Sequence, residues 1–354
     1  MIFDPILNLF RGRAIAIPPY DGAFRPNNAL ETATVLSEIA GPDNLCRAGE
    51  RILLSSRNEL LQLDPTGATC TSLEAYPELI TSLAISKTGK LALSLADHRL
   101  LIDGDDIQLP KEIRSITALA FDVDDRLYIC NGSDVHSTTD WVVDLMEKRC
   151  NGSVWLLPSG SRQPTCLARN LAWPGGILVQ QDRLVISESW RHRLVTLSKT
   201  GASPVPILDK LPGYPGRLTA SRSGAAWLAI FAPRNRLVEF ILQEDAYRHD
   251  MMREIPRQQW IAPSLMPTNS FLDPLQCGAI KTMGVRKPWA PSRSYGLAVY
   301  LDADLQPVSS YHSRADGRHH GVTSVSEIDE RIWVAACGGN RLLDLGAVQE
   351  LGAA

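Results

Sequence analysis

A unit that recurs about six times dominates this chain: a β-rich run, a turn centred on Gly or Asp, and a second β-rich run. Residues 80–86 read Ile-Thr-Ser-Leu-Ala-Ile-Ser, followed by Lys87-Thr-Gly-Lys and Leu91-Ala-Leu-Ser-Leu. Residues 116–121 read Ile-Thr-Ala-Leu-Ala-Phe, followed by Asp122-Val-Asp-Asp-Arg and Leu127-Tyr-Ile-Cys. Further pairs join Gly176-Ile-Leu-Val to Arg183-Leu-Val-Ile, and Arg217-Leu-Thr-Ala to Ala226-Trp-Leu-Ala-Ile. Another joins Gly321-Val-Thr-Ser-Val to Arg331-Ile-Trp-Val-Ala, and a weaker first copy joins Asn44-Leu-Cys to Arg51-Ile-Leu-Leu. A β unit repeating at about 40 residues is the signature of a propeller blade. The predicted fold is all-β: a single six-bladed β-propeller over residues 1–354, with function in loops around a central channel.

Blade one is expected near 41–72, blade two at 78–110, blade three at 114–160, blade four at 168–208 and blade five at 213–313. Blade six starts near Gly321 and runs out of chain one strand short. Arg13-Ala-Ile-Ala-Ile is the candidate to supply that strand and close the ring, which leaves no open edge. Two insertions account for the excess length. Residues 134–150 contain a short helix after Ser137. Residues 232–293 contain a stretch of helical character from Gln243, broken by Pro256, Pro263, Pro267 and Pro274. Insertions of this length serve as lids or partner surfaces, or pack on the propeller side.

Charge and cysteine content narrow the function classes. The net charge is -3, with both signs mixed along the chain, so a nucleic-acid partner is not expected. No apolar run reaches transmembrane length, and Asp4 and Pro5 interrupt the apolar N-terminus, so neither a span nor a signal peptide is read. The seven cysteines are scattered without a Cys-x-x-Cys pair, the pattern of reduced, buried thiols in a cytoplasmic protein. The expected partner is a small-molecule ligand; the sequence names no protein partner.

Five phrases in order carry a resemblance. Asp140-Trp-Val-Val-Asp-Leu-Met-Glu stands ahead of Gly152-Ser-Val-Trp. Ser187-Glu-Ser-Trp-Arg-His-Arg-Leu is followed by Leu211-Pro-Gly-Tyr-Pro. Val325-Ser-Glu-Ile-Asp-Glu-Arg-Ile-Trp-Val closes the series. Over about residues 40–345 the chain resembles the strictosidine synthase-like family and, more distantly, the paraoxonase and gluconolactonase groups. The resemblance implies a site at one mouth of the channel, where metal-dependent relatives hold Ca²⁺ or another divalent ion with carboxylates and Asn at inner-strand starts. Here Asp43-Asn44 occupies the first such position. Gly175 stands where relatives carry Asn, and Gly216-Arg217 replaces Asp-Asn. Two oxygen ligands are gone and a guanidinium has arrived, so no cofactor is expected, Ca²⁺ being the ion the family would hold. Strictosidine synthase's glutamate falls at Thr323, a poor proton acceptor, so that activity is not expected.

The candidate site residues come from these positions and from the places of others at the turns and strand starts of the repeat. His320 and Asp43 are the candidate catalytic residues, His320 as a general base before blade six. Asn44, Asn131, Arg217, His136 and Trp190 are the candidate ligand-binding residues; no metal ligand is assigned. Arg217 reads either as a charge that pairs with Asp43 or a substrate carboxylate, or as half of an ion pair that plugs the channel. His319-His320 read equally as loop residues of a solvated turn, and Glu188, Arg191 and Arg193 as an inter-blade salt-bridge cluster. The function expected is action on a small molecule at the mouth, with lactone or ester hydrolysis as the reaction class. The other reading is a non-catalytic propeller that binds a small molecule or a partner.

Overall fold

The computed structural model describes residues 17–266, 281–282, 285–286 and 293–348. Twenty-four strands form six four-stranded antiparallel sheets, and Lys281–Thr282 with Val285–Arg286 form a separate short hairpin. In five sheets the strands follow chain order with the first innermost, and in the sixth Val322–Ile328 is innermost and an N-terminal strand outermost, so the fold is a six-bladed β-propeller. Blade one runs from Pro42 to Ala75, blade two from Ile80 to Ile107, blade three from Ile116 to Leu171 and blade four from Pro174 to Leu208. Blade five uses Gly213–Ala220, Ala226–Pro233, Leu297–Leu301 and Pro307–His312, with the long insertion between its second and third strands.

Blade six is closed by the N-terminal side of the chain, but by a segment other than the one expected. Thr34–Glu38 pairs antiparallel with Arg341–Ala347, Thr34 opposite Asp344 and Glu38 opposite Arg341. Residues 13–16 lie outside the described residues, and the edge they were expected to fill is taken by Thr34–Glu38. The stretch ahead of it is a strap over blades five and six. Tyr20 donates to the Pro212 carbonyl (3.3 Å), Asn27 to that of Ser310 (2.8 Å), and Glu31 accepts from the Arg318 and His319 amides. The boundary between blades three and four also differs from expectation. Thr165–Leu171 pairs with Gly152–Leu157 as the outer strand of blade three, and Pro174 opens blade four.

The alternation of apolar residues along the strands builds one hydrophobic cluster between each pair of neighbouring blades. Between blades two and three, Leu100, Ile107 and Ala84 meet Ile116, Leu127 and Trp155. Between blades six and one, Trp333, Ala335 and Leu342 meet Leu45, Ile52 and Leu54. Each fully buried Leu or Ile contributes roughly 1.5–3 kcal/mol, so stability is spread around the ring. A seventh cluster lies under the two insertions: Leu145 and Met146 from the first pack on Val238, Ile241, Trp260 and Ala262 from the second. The second insertion holds two helices, Arg236–Gln243, whose start is capped by Asn235, and Asp245–Glu254.

Candidate functional site

The inner strand of every blade carries a register irregularity near its start. In blades two, three, four and six the ladder skips Thr81, Thr117, Gly175 and Thr323. In blade five it skips Gly216 and Arg217, and in blade one the shift begins at Asp43. A bulge leaves a residue unpaired and re-aims it, here toward the channel mouth. Asp43, just ahead of the blade-one bulge, and Thr81, Thr117, Gly175, Gly216 and Thr323, at the other five, form a six-membered ring, one residue per blade, that lines a cavity of about 130 Å³.

Arg217 closes the floor of this cavity. From blade five its Nη1 donates to the Thr117 carbonyl of blade three (2.8 Å). Its Nη2 donates to Asp43 Oδ2 of blade one (2.8 Å) and to the Thr81 carbonyl of blade two (3.0 Å). The side chains of Arg217 and Asp43 are only 16% and 24% exposed, so the pair is poorly screened by water. Asp43 Oδ1 also accepts from the Asn44 amide (2.7 Å). Beneath the pair, the inner strands enclose a second cavity of about 320 Å³, and Arg217 lines both.

A divalent cation does not fit here. One carboxylate oxygen and two carbonyls converge, as a hard cation requires, but on a guanidinium that brings its own positive charge. Nearby carbonyls are also taken. Ser187 and Ser189 donate to Gly216 and Pro215 (2.6 Å each), and Thr117 to Pro174. A side chain at Gly175 would place its Cβ 2.5 Å from Ser189 Oγ, so the family's Asn cannot simply return. Among the described residues, no three His, Cys, Asp or Glu side chains are grouped to hold a metal. The thiols of Cys46 and Cys337, near the pair, are pushed up to about 12, chiefly by burial, so neither is a thiolate nucleophile.

The walls are apolar: Trp141, Trp173, Phe231 and Leu265. Trp173 sits at φ +56, a costly conformation for a bulky residue. It is held there by Ser189, whose amide donates to the Trp173 carbonyl (3.0 Å), and by Glu188. The fully buried Glu188 carboxylate accepts from the Ala172 amide (2.7 Å), Arg191 (2.6 Å) and Arg193 (2.6 Å). Glu188, Arg191 and Arg193 are thus a salt-bridge cluster that braces the wall. The rim is a clasp between the two insertions: Arg257 donates to Asp140 (2.6 Å) and to the Thr139 carbonyl (2.8 Å). Burial raises the Asp140 carboxyl, but hydrogen bonds from Arg257 and Ser137 outweigh it and hold the group below its usual range.

Of the residues expected at the site, Asp43 and Arg217 come together at the mouth and the others do not. His320 is fully buried, its Nδ1 bonded to Ser294 (2.8 Å) and its Nε2 to the Arg314 carbonyl (2.7 Å), so it is a core histidine rather than a base at the mouth. Asn131 is a fully buried brace: Oδ1 accepts from the Arg114 and Ser115 amides, and Nδ2 donates to the Glu112 carbonyl and Ser153. Asn44 takes φ +60, donates to Ser55 (2.8 Å) and lines the inner cavity instead. His136 bonds Glu147 (2.8 Å) within the first insertion. Trp190 stands behind the wall, stacked between Trp173 (5.1 Å) and Trp141 (6.2 Å), with Nε1 on Asp144 (2.8 Å). Thr323, read as the position of strictosidine synthase's glutamate, lines the mouth, while Thr81 and Thr117 were missed. Their signal was the repeated Ile/Val-Thr pair at the start of three blades.

Six four-stranded blades around a channel, with a small cavity at one mouth, define the class: a six-bladed β-propeller. No family model matches the chain. It is similar to the adipocyte plasma membrane-associated protein of Salmo salar, 22% identical over 250 residues, covering 61% of this chain and 60% of that protein. The chain therefore spans about three fifths of the length of the curated relative it matches. It is a distant homologue of that strictosidine synthase-like protein, in line with the resemblance in its phrases. In three dimensions it is similar to a gluconolactonase from Xanthomonas campestris, with TM-score 0.54, 12% identity and 88% of each chain covered. It is also similar to a putative gluconolactonase known from an X-ray structure, with TM-score 0.54, 10% identity, and 89% of this chain and 92% of that one covered. These two likenesses bear on the fold. Among the described residues no helix is long and apolar enough to cross a membrane.

Proposed function

We propose that this propeller takes a small, uncharged, ring-bearing molecule at the channel mouth, without a divalent cation. The observation that carries this is the Arg217 guanidinium lodged between Asp43 and the Thr81 and Thr117 carbonyls. The two floor charges cancel, so neither an anion nor a cation is favoured. The ring hydroxyls are already bonded: Thr81 with Ser94 (2.8 Å), Thr323 to the Pro42 carbonyl (3.3 Å) and Thr117 to Pro174. An apolar body lies against Trp141, Trp173, Phe231 and Leu265. A polar group meets the guanidinium protons left over from three bonds, or the remaining lone pairs of Asp43. Six free cysteines among the described residues support residence in a reducing compartment, the cytoplasm.

A second reading is hydrolysis of a lactone or ester, favoured by the juxtaposition of a carboxylate and a guanidinium on one floor. Asp43 accepts a proton from water as the water oxygen bonds the acyl carbon; Arg217 stabilises the oxyanion; the acyl C–O bond breaks and the alkoxide takes the proton from Asp43. His320 has no part in either reading. A screen of lactones and aryl esters with Ca²⁺ or EDTA tests both, alongside thermal stabilisation by small ring compounds. Stabilisation without turnover supports binding alone. Turnover indifferent to EDTA and lost in Asp43→Asn supports hydrolysis. Turnover abolished by EDTA overturns the metal-free reading.

A further inference from the structure

We propose that Leu265 sets the size of ligand the mouth admits, and that two glycines of blade six hold it in place. This rests on the reading of the mouth as a small-molecule site. The blade-five insertion leaves blade five after Pro233, is clasped to the blade-three insertion at Arg257–Asp140, and at Leu265 comes against blade six. Residues 260–266 of the insertion form a strap. Trp260 and Ala262 are buried in the cluster beneath the insertions. Ser264 donates from its amide to the Arg293 carbonyl (2.9 Å), and Arg293 Nε donates to the Ala262 carbonyl (2.8 Å).

The next residue, Leu265, lies on blade six more closely than any side chain permits. A Cβ on Gly338 would fall 1.8 Å from the Leu265 carbonyl oxygen, and one on Gly321 would fall 2.6 Å from it. Gly321 also has φ +63. With its backbone set this close against blade six, Leu265 becomes a wall of the mouth cavity, where it joins Trp141, Phe231 and Thr323. The volume decides what this wall does. The cavity is about 130 Å³, and a cavity of roughly 150 Å³ accommodates benzene. The cavity is open at the mouth, so one six-membered ring fills it and a second fused ring is left outside unless Leu265 gives way.

Phenol and 2-naphthol test this as neutral probes, by calorimetric titration of the full chain. The wild type is expected to prefer phenol. Leu265→Ala is expected to shift the ratio of the two affinities toward 2-naphthol by about tenfold. Gly338→Ala, which leaves every lining side chain unchanged but pushes the strap away, moves the ratio in the same direction. Should that variant fail to fold, Arg293→Ala loosens the strap from its other side. Acrylamide quenching of tryptophan fluorescence without ligand is a second readout, and it rises in both variants as Trp141 and Trp173 open to solvent. Phenol binding with an unchanged ratio and unchanged quenching in Leu265→Ala and Gly338→Ala overturns this inference alone. A folded wild type that binds neither probe overturns the mouth reading and this inference with it.

Discussion

Arg217 reaches Asp43 across the channel mouth at 2.8 Å, joining blade five to blade one, although 174 positions separate them along the chain. The same guanidinium holds the backbone of blades two and three. One side chain thus connects four of the six blades where their inner strands begin, and it divides the mouth from the inner cavity.

Removing either partner leaves the other poorly hydrated. Arg217→Ala and Asp43→Ala are each expected to cost about 2–4 kcal/mol, and the double variant less than their sum, with a coupling of about 1–3 kcal/mol. Chemical denaturation of the four proteins measures it. Additive costs would mean that the pair merely fills space.

Replacing the guanidinium should uncover a cation site. Arg217→Asn frees Asp43 Oδ2 and the Thr81 and Thr117 carbonyls, and Gly216→Asp adds a carboxylate. The new Cβ would meet Phe231 at 3.3 Å, a tight but adjustable contact. The double variant is expected to gain a Ca²⁺-dependent rise in Tm that the wild type lacks. Tight stoichiometric Ca²⁺ binding by the wild type in a calorimetric titration would sink this account of the mouth.

Glu188 supports the pocket from behind. Glu188→Ala leaves the Ala172 amide and two arginines without their acceptor, and the arginines, 40% and 23% exposed, recover part of the loss in water. A cost of about 2–3 kcal/mol is expected, with weaker binding of any mouth ligand because Trp173 loses its brace. Unchanged ligand affinity in a destabilised Glu188→Ala would separate the brace from the wall.

Acid should weaken the junction of the strap with blade five. His312 is fully buried between Tyr20 and Tyr295, bonded to Tyr295 (3.1 Å) and Ser310 (2.7 Å), and burial pushes it down to about 4. Its unfolded form takes a proton near pH 6.5, so the stability it contributes is full above that pH and is lost as pH falls toward about 4. Between pH 7 and pH 5 the loss is about 2 kcal/mol. Melting curves at the two pH values should show a smaller difference for His312→Gln; an equal difference would assign the acid sensitivity elsewhere.

Ring closure resides in Thr34–Glu38. Removal of residues 1–40 deletes that strand and the strap contacts of Tyr20, Asn27 and Glu31. A fall in Tm of roughly 10 °C or more is expected, read by scanning calorimetry. A cooperative transition at the wild-type temperature would show that blade six stands on three strands.

The repeat was legible because each blade must bury both faces against its neighbours, so Ile-Thr-x-Leu-Ala could recur nearly unchanged. Asp43 and Arg217 were legible for a related reason: they break a pattern at a fixed place in the unit. The closing strand was not, since Thr34–Glu38 is an outer strand with little burial, and the more apolar Arg13-Ala-Ile-Ala-Ile drew the assignment instead. His320 misled because adjacency to the mouth in sequence says nothing of which way a ring points. Here Ser294 and the Arg314 carbonyl turn it into the core. Trp141, Trp173 and Leu265 come from a helix, a strained turn and a strap with no shared spacing, and only the fold brings them together.

The sixfold bulge makes the mouth a place where chemistry can be rewritten one character at a time. Its present spelling, read around the ring, is Asp43, Thr81, Thr117, Gly175, Gly216, Thr323. Because the ladder skips five of these positions, all but Asp43, a new side chain at any of the five need not disturb the strand pairing that holds its blade. The two adjacent glycines are the blank letters, and Gly216 is the roomier of them, its nearest neighbour 3.3 Å from a new Cβ against 2.5 Å at Gly175. A designer seeking to place an activity on this scaffold would begin writing there.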